Sequence, residues 1–509
     1  MKLRIPRYSS LLPALAVISL SAPSLFAANF VLQANDGATV NSFSSALNFK
    51  TGNTPGGTAV APSSGNTYQT GAFRIRTPTA TGNFTFAGDS LEIQAGLGMR
   101  NKTTGIITVN NLIVADTGVL ELSLGGASPT GTLAGNITLN GTATILADNS
   151  SGSPGTIFTI SSAISGTGGI NTGNASLLLG TGPNQFATSV GTVILTGNNS
   201  FTGGAESNGV AGSTLRLGNA NAVKNSTVKN SIAGGLTFSS GIGTFNLGGL
   251  AGAQNIALAD VGATAVTLNV GGGINNNSST YDGILSGTGG KLTKSGSGTL
   301  TLTNTNTYTG ETTIKAGTLK VNTSTSISSS SSIIVGDAGA AVLDVTAAGI
   351  TVGASQTLSG IGTVDADASD IVTVSGMISA GNAGVGTLTF DGGILTLNNF
   401  TKFTYGLGTS SDLVTLMNSG SLVLGSSIGF NDFTFTNSGG FGVGTYTLIG
   451  GASSFTGSLD AGDLVGTVDG LSSTLGMSGN NLVLNVVPEP NVAALLGGLG
   501  TLLLLRRRR

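Results

Sequence analysis

The sequence has no cysteine, no histidine and no tryptophan. Disulfides are excluded as a source of stability. So are the Cys–His and Ser–His–Asp arrangements of nucleophilic catalysis. The usual zinc, iron and copper ligands are missing as well. Charge is scarce: Asp, Glu, Lys and Arg make up 8% of the 509 residues, against about 25% in an ordinary globular domain. Aromatic residues are 5%, few for a catalytic groove whose rings stack on sugars. No helix-period segment of useful length lies between Asn29 and Asn485, and no linker interrupts that stretch.

What is abundant is glycine, 83 residues without a three-residue period, with Thr, Ser, Val, Ile and Asn. That mixture suits many short strands joined by tight turns. The strands are visible as alternation, in Gly105-Ile106-Ile107-Thr108-Val109 and again in Gly386-Thr387-Leu388-Thr389-Phe390. One face of each is apolar, the signature of a half-buried strand.

The chain also repeats itself. Residues 191–203, GTVILTGNNSFTG, align with 298–310, GTLTLTNTNTYTG. Each has a similar lead, at 164–169 and 285–290, and each is followed by a turn and strand, at 211–217 and 316–321. Leu300 and Leu302 alternate with threonines and are expected to point inward. The Asn/Thr-rich stretch after them reads as a corner, with Tyr308 or Phe201 packing over it. Gly310 and Gly203 are expected to turn the backbone at positive φ. Thr312-Thr313-Ile314-Lys315 then begins the next strand. Such units, without helices, stack as parallel coils, each burying its neighbour's apolar face. The Ser-rich run from Ser326 to Ser332 reads as a loop or a degraded coil, and coils near each end are expected to act as caps.

The second copy closely resembles the autotransporter-associated β-strand repeat. The positions that carry the resemblance are Leu292, Lys294, Gly296, Gly298, Leu300, Leu302, Asn306, Tyr308, Gly310, Thr312, Ile314, Gly317 and Leu319. The first copy lacks the Lys-x-Gly lead and has Phe201 in place of tyrosine. The clear copies span about 164–217 and 285–321. The resemblance implies an all-β fold, a right-handed parallel β-helix, in an exported surface protein.

Both ends read as addresses. Lys2, Arg4 and Arg7 precede an apolar stretch from Leu11 to Leu20 and a small-residue segment ending at Ala27-Ala28. This is the order of a secretory signal peptide, placed at 1–28. At the other end, Pro488-Glu489-Pro490 precedes an uncharged apolar run from Asn491 to Leu505, expected as a short membrane helix. Four arginines follow, Arg506, Arg507, Arg508 and Arg509. The arginines favour the cytoplasmic side, which leaves the body, 29–485, outside. Residues 486–509 resemble the PEP-CTERM sorting signal. That resemblance implies processing at Pro488-Glu489-Pro490 by an exosortase-type membrane enzyme, after passage through the export translocon and transient anchoring in the inner membrane. Delivery would be to the cell surface or extracellular matrix, with an exopolysaccharide as a further partner. Without the two ends the chain keeps 13 basic and 21 acidic residues, a net charge of −8, which argues against nucleic acid as a partner.

Candidate sites inside the body are weak. Asp365, Asp367 and Asp370 form D-x-D-x-x-D, whose first two carboxylates share a strand face and could take calcium with carbonyl help. No calcium-binding glycine repeat accompanies them, and a solvated face is the simpler reading. Asp460, Asp463 and Asp469 form a weaker cluster. No residue is assigned to catalysis, cofactor binding or a metal. The expectation is an exported, non-enzymatic structural or adhesive protein. The alternatives are a polysaccharide-active β-helix enzyme and an autotransporter-like adhesin.

Overall fold

The computed structural model describes residues 27–488, apart from 38–40, 126–127, 150–154, 174–189, 275, 338–339 and 383. The signal segment expected at 1–28 lies outside the described residues up to position 26. The expected C-terminal helix and Arg506–Arg509 lie outside them entirely.

The described chain is an all-β solenoid of the right-handed type, with two short 3-10 turns as its only helical elements. Its backbone is a single parallel sheet of sixteen strands, from Ile75–Arg76 to Phe433–Asn437. Each strand of this sheet comes from the next coil, about 20 to 35 residues further along the chain. One coil shows the plan. Ser332–Val335 lies on the long sheet, Ala341–Asp344 and Ile350–Val352 form two further sides, and Thr357–Gly360 returns on top of Ser332–Val335. In the first half the two other sides are often one bent strand. Ile106–Val114 is buried at alternate positions on both sides of exposed Asn110 and Asn111, where its register slips. The two asparagines are the corner.

Alternation drives this shape. In Thr299–Leu302 the leucines are buried and the threonines half-buried, and Thr192–Leu195 has the same pattern. Because the coils are in register, each inward position stands on its counterpart. Leu300, Leu319, Leu343, Val364, Phe390 and Leu416 form one such column, and all six are buried. Burying a side chain of this size stabilises by about 1.5–3 kcal/mol, so the column needs no disulfide to hold it.

Both open ends are closed. Phe43 and Phe49 are fully buried at the N-terminal end, where Phe49 and Phe86 meet the Tyr68 ring edge-on at 4.8 and 5.4 Å. At the C-terminal end the parallel pattern gives way to antiparallel pairing. Gly444–Gly450 pairs with Asn481–Val486, which pairs with Leu471–Ser478, which pairs with Val465–Val468. Caps of this kind stop coil-on-coil stacking between molecules. The Ser-rich run is a turn leading into the strand Ser332–Val335, as one of the two expectations had it, but it is packed into the stack. Ser326, Ile327 and Ser330 are buried, and the two serine hydroxyls donate to carbonyls of the coil below. Their small size lets a polar corner pack inside the stack.

Candidate functional site

Two places carry the residues singled out in the sequence: the repeat motif inside the solenoid, and the exit of the chain at its C-terminal cap.

In the second repeat copy, Asn306 is buried where the strand Thr299–Leu302 turns its corner. Its Oδ1 accepts the Leu285 N–H of the coil below at 2.8 Å, and its Nδ2 donates to the Ser326 carbonyl of the coil above at 3.0 Å. Asn199 does the same in the first copy: Oδ1 accepts from Ile164 N–H at 2.9 Å and Nδ2 donates to Ala222 O at 2.9 Å. One amide thus ties three successive coils at the corner, beside the backbone bonds from Asn306 N–H to Ser326 O and from Thr307 N–H to Leu285 O. The alignment pairs these two asparagines, so the signal was present, but a polar residue at a corner reads as a solvated turn.

The aromatic of the motif packs inward as expected, with Tyr308 and Phe201 both buried. The Tyr308 hydroxyl lies 2.5 Å from Thr312 Oγ1, which donates to Ser330 Oγ at 3.0 Å. Burial pushes the Tyr308 phenol well above its ordinary range. The glycine of the motif acts differently from the expectation. Neither Gly310 nor Gly203 has positive φ. A Cβ on Gly310 would lie 2.4 Å from the Gly290 carbonyl oxygen, and one on Gly203 would lie 2.4 Å from the Gly168 carbonyl carbon. These glycines are required by close approach of the coil below.

Lys294 is the unexpected member. It sits at an inward register position, between Val270 and Ile314, and is 2% exposed. Its Nζ donates to the carbonyls of Ser295, Gly296 and Ala316 at 2.6, 2.9 and 3.3 Å. The lysine of the motif is therefore a corner cap with three donors for three carbonyls. Burial pushes its ammonium pKa down to about 8.

At the C-terminal exit, Val487 donates to Ser472 O at 3.0 Å, the last backbone bond before Pro488. Pro488 is exposed and belongs to no strand. Glu489, Pro490 and Arg506–Arg509 lie outside the described residues. Among the described residues, no helix is long and apolar enough to cross a membrane.

The acidic clusters separate. Asp365 is stacked between Asp344 and Asp391 of the neighbouring coils. Partial burial and those two carboxylates push its pKa up. Asp344 is taken by Lys320 Nζ at 2.8 Å, and Asp370 accepts the Asp367 amide at 2.9 Å. Asp460 caps its own turn through Gly462 N–H, Asp463 receives Asn431, and Asp469 receives Asn437. Among the described residues, no group of three or more carboxylates is arranged to hold a metal ion.

A family model described as the passenger-associated-transport-repeat, the autotransporter-associated β-strand repeat, matches residues 188–206 and 292–321. The matched segments contain Asn199, Phe201 and Gly203 in one copy and Lys294, Asn306, Tyr308 and Gly310 in the other. No curated protein matches the chain. The repeat and the solenoid together fit the passenger of an exported, surface-displayed protein.

Proposed function

We propose that this chain is a non-enzymatic structural or adhesive body displayed at the cell surface or in the extracellular matrix. We further propose that it is sorted there through its C-terminal Pro-Glu-Pro segment by an exosortase-type enzyme. The observation that carries the reading is the way the chain leaves the fold. The solenoid is closed by its antiparallel cap, and the next residues are an exposed Val487-Pro488. Proline offers no N–H to a ladder, so Pro488 ends the pairing of the cap and is open to a protease. In sequence it is followed at once by an apolar run and four arginines, which favour a stop in the inner membrane with the basic end inside. The body supplies length and a repetitive polar surface, which suits a spacer or scaffold.

Mass spectrometry of the protein recovered from the cell surface or medium tests the sorting step. The mature form is expected to end near Pro488–Pro490. Replacing Pro488 and Pro490 with Ala should leave an uncut, membrane-held precursor, and replacing Arg506–Arg509 with Ser should weaken retention. A surface form still ending at Arg509 would replace this reading with a plain tail anchor. Release of reducing or unsaturated ends from a panel of polysaccharides would overturn the non-enzymatic assignment.

A further inference from the structure

The outer side of the long sheet near its beginning carries a block of charge that is shut away from water. In register, Arg76 lies beside Arg100, Arg100 beside Glu121, and Glu121 beside Leu146. Arg74 and Lys102 lie two residues along from Arg76 and Arg100, on the same side of their strands. Arg74 is 6% exposed and Arg76 9%. The Nε and Nη1 of Arg74 and the Nε of Arg76 have no hydrogen-bond acceptor.

The nearby carboxylates are already engaged. Asp36 uses one oxygen on Ser42 Oγ and Asn48 Nδ2, and the other on the backbone N–H groups of Ser42 and Arg76. Glu121 is held by Arg100 through both Nε and Nη2. Four cations (Arg74, Arg76, Arg100 and Lys102) lie within electrostatic reach of three carboxylates (Asp36, Glu121 and Asp148). Burial, and then Arg100, pushes the Arg74 guanidinium down to about 10. Outside the described residues the chain has one carboxylate side chain, Glu489, which follows Pro488 at the opposite end of the solenoid. Buried guanidinium nitrogens without an acceptor are costly, and the three carboxylates leave one positive charge of this cluster unbalanced.

We propose that Arg74 and Arg76 form a buried site for one oxyanionic group, a sulfate, phosphate or carboxylate, held by these three free nitrogens. Negative charge there offsets the excess of positive charge. Planar guanidinium donors match oxyanion geometry better than a lysine would. The group reaches the site from the side of Arg100, whose side chain is 16% exposed, and of half-buried Lys102. The inference is independent of how the chain is sorted.

The test is calorimetric titration of the full chain, purified in detergent, with sodium sulfate, sodium phosphate and an oligogalacturonate at constant ionic strength. Saturable one-to-one binding is expected with at least one probe. Arg76→Gln and Arg74→Gln should each weaken it at least about tenfold, while exposed Lys291→Gln should leave it unchanged. If Arg74→Gln does not fold, Arg74→Lys keeps the charge, loses the Nε donor and should show the same loss. Tighter binding of the oligogalacturonate than of either ion assigns the group to a sugar; equal or weaker binding assigns it to a free ion. No saturable binding with any of the three probes, or unchanged binding in folded Arg76→Gln, overturns the proposal.

Discussion

The two repeat copies solve the same corner with different chemistry. In the second, Tyr308 brings a hydroxyl into the core, and Thr312 and Ser330 are there to receive it. In the first, Phe201 brings none, and the position that aligns with Thr312 is Ala205, fully buried. The aromatic and its partner four residues later change together, because a buried hydroxyl without an acceptor costs more than the hydroxyl contributes when paired. The asparagine does not change. Asn199 and Asn306 make the same pair of bonds across three coils. What varies between copies is the hydroxyl chain under the aromatic ring, and what stays is the asparagine tie between coils.

The largest expected effect comes from breaking what is shared. Asn306→Ala leaves the Leu285 N–H buried and unpaired and takes one of its two donors from the Ser326 carbonyl, which keeps the Asn306 backbone N–H. It should destabilise by about 1–3 kcal/mol, and Asn199→Ala by a similar amount, read from denaturant midpoints. Asn306→Asp keeps the acceptor and loses the donors. If it were as stable as the wild type, the inter-coil tie would not be the reason for the asparagine.

Lys294→Met removes three donors from three corner carbonyls and is expected to cost about 2 kcal/mol near neutral pH. It also carries a pH signature. The folded-state pKa is near 8 and the ordinary value 10.5, so between them the unfolded chain binds more protons than the folded one. Stability from this group therefore rises as pH increases from about 8 to about 10.5. The wild-type minus Lys294→Met difference in midpoint, followed across that window, isolates it from the tyrosines. A flat difference would show that the three carbonyls hold the ammonium as well as water does.

The smallest effects test the exchange between copies. Tyr308→Phe should cost about 1 kcal/mol, since Thr312 keeps Ser330. Phe201→Tyr should cost about 1–2 kcal/mol by burying an unpaired hydroxyl. Adding Ala205→Thr should recover part of it, giving a coupling energy of about 0.5 kcal/mol or more in a double-mutant cycle. Zero coupling would mean that the Tyr–Thr and Phe–Ala pairings are coincidence.

The fold was legible because it is written in alternation. Leu300 and Leu302 between threonines, repeated about a hundred residues apart with the same lead, specify inward columns without reference to any distant contact. The site was legible in its residues and less so in their roles. The sequence pattern at Gly310 suggests positive φ, but close approach also demands glycine, and only the position of the Gly290 carbonyl distinguishes them. Lys294 stands in the repeat motif, but lysine is ordinarily a surface residue and its neighbours in sequence give no sign of an inward role. Its carbonyl partners come partly from the next coil and are invisible to local pattern. The arginines at 74, 76 and 100 escaped notice for the same reason: they are more than twenty residues apart in part, and only the parallel register makes Arg76 and Arg100 neighbours.

The C-terminal cap has a mechanical consequence. The last strand, Asn481–Val486, does not lie at the edge of its sheet; it is held between Gly444–Gly450 on one side and Leu471–Ser478 on the other. A pull on Pro488 along the strand therefore loads two ladders in shear at once, all their bonds sharing the force, whereas an outermost strand pulled crosswise would peel one bond at a time. A chain fastened by its tail and dragged by its body would hold at this grip while tension is taken up elsewhere.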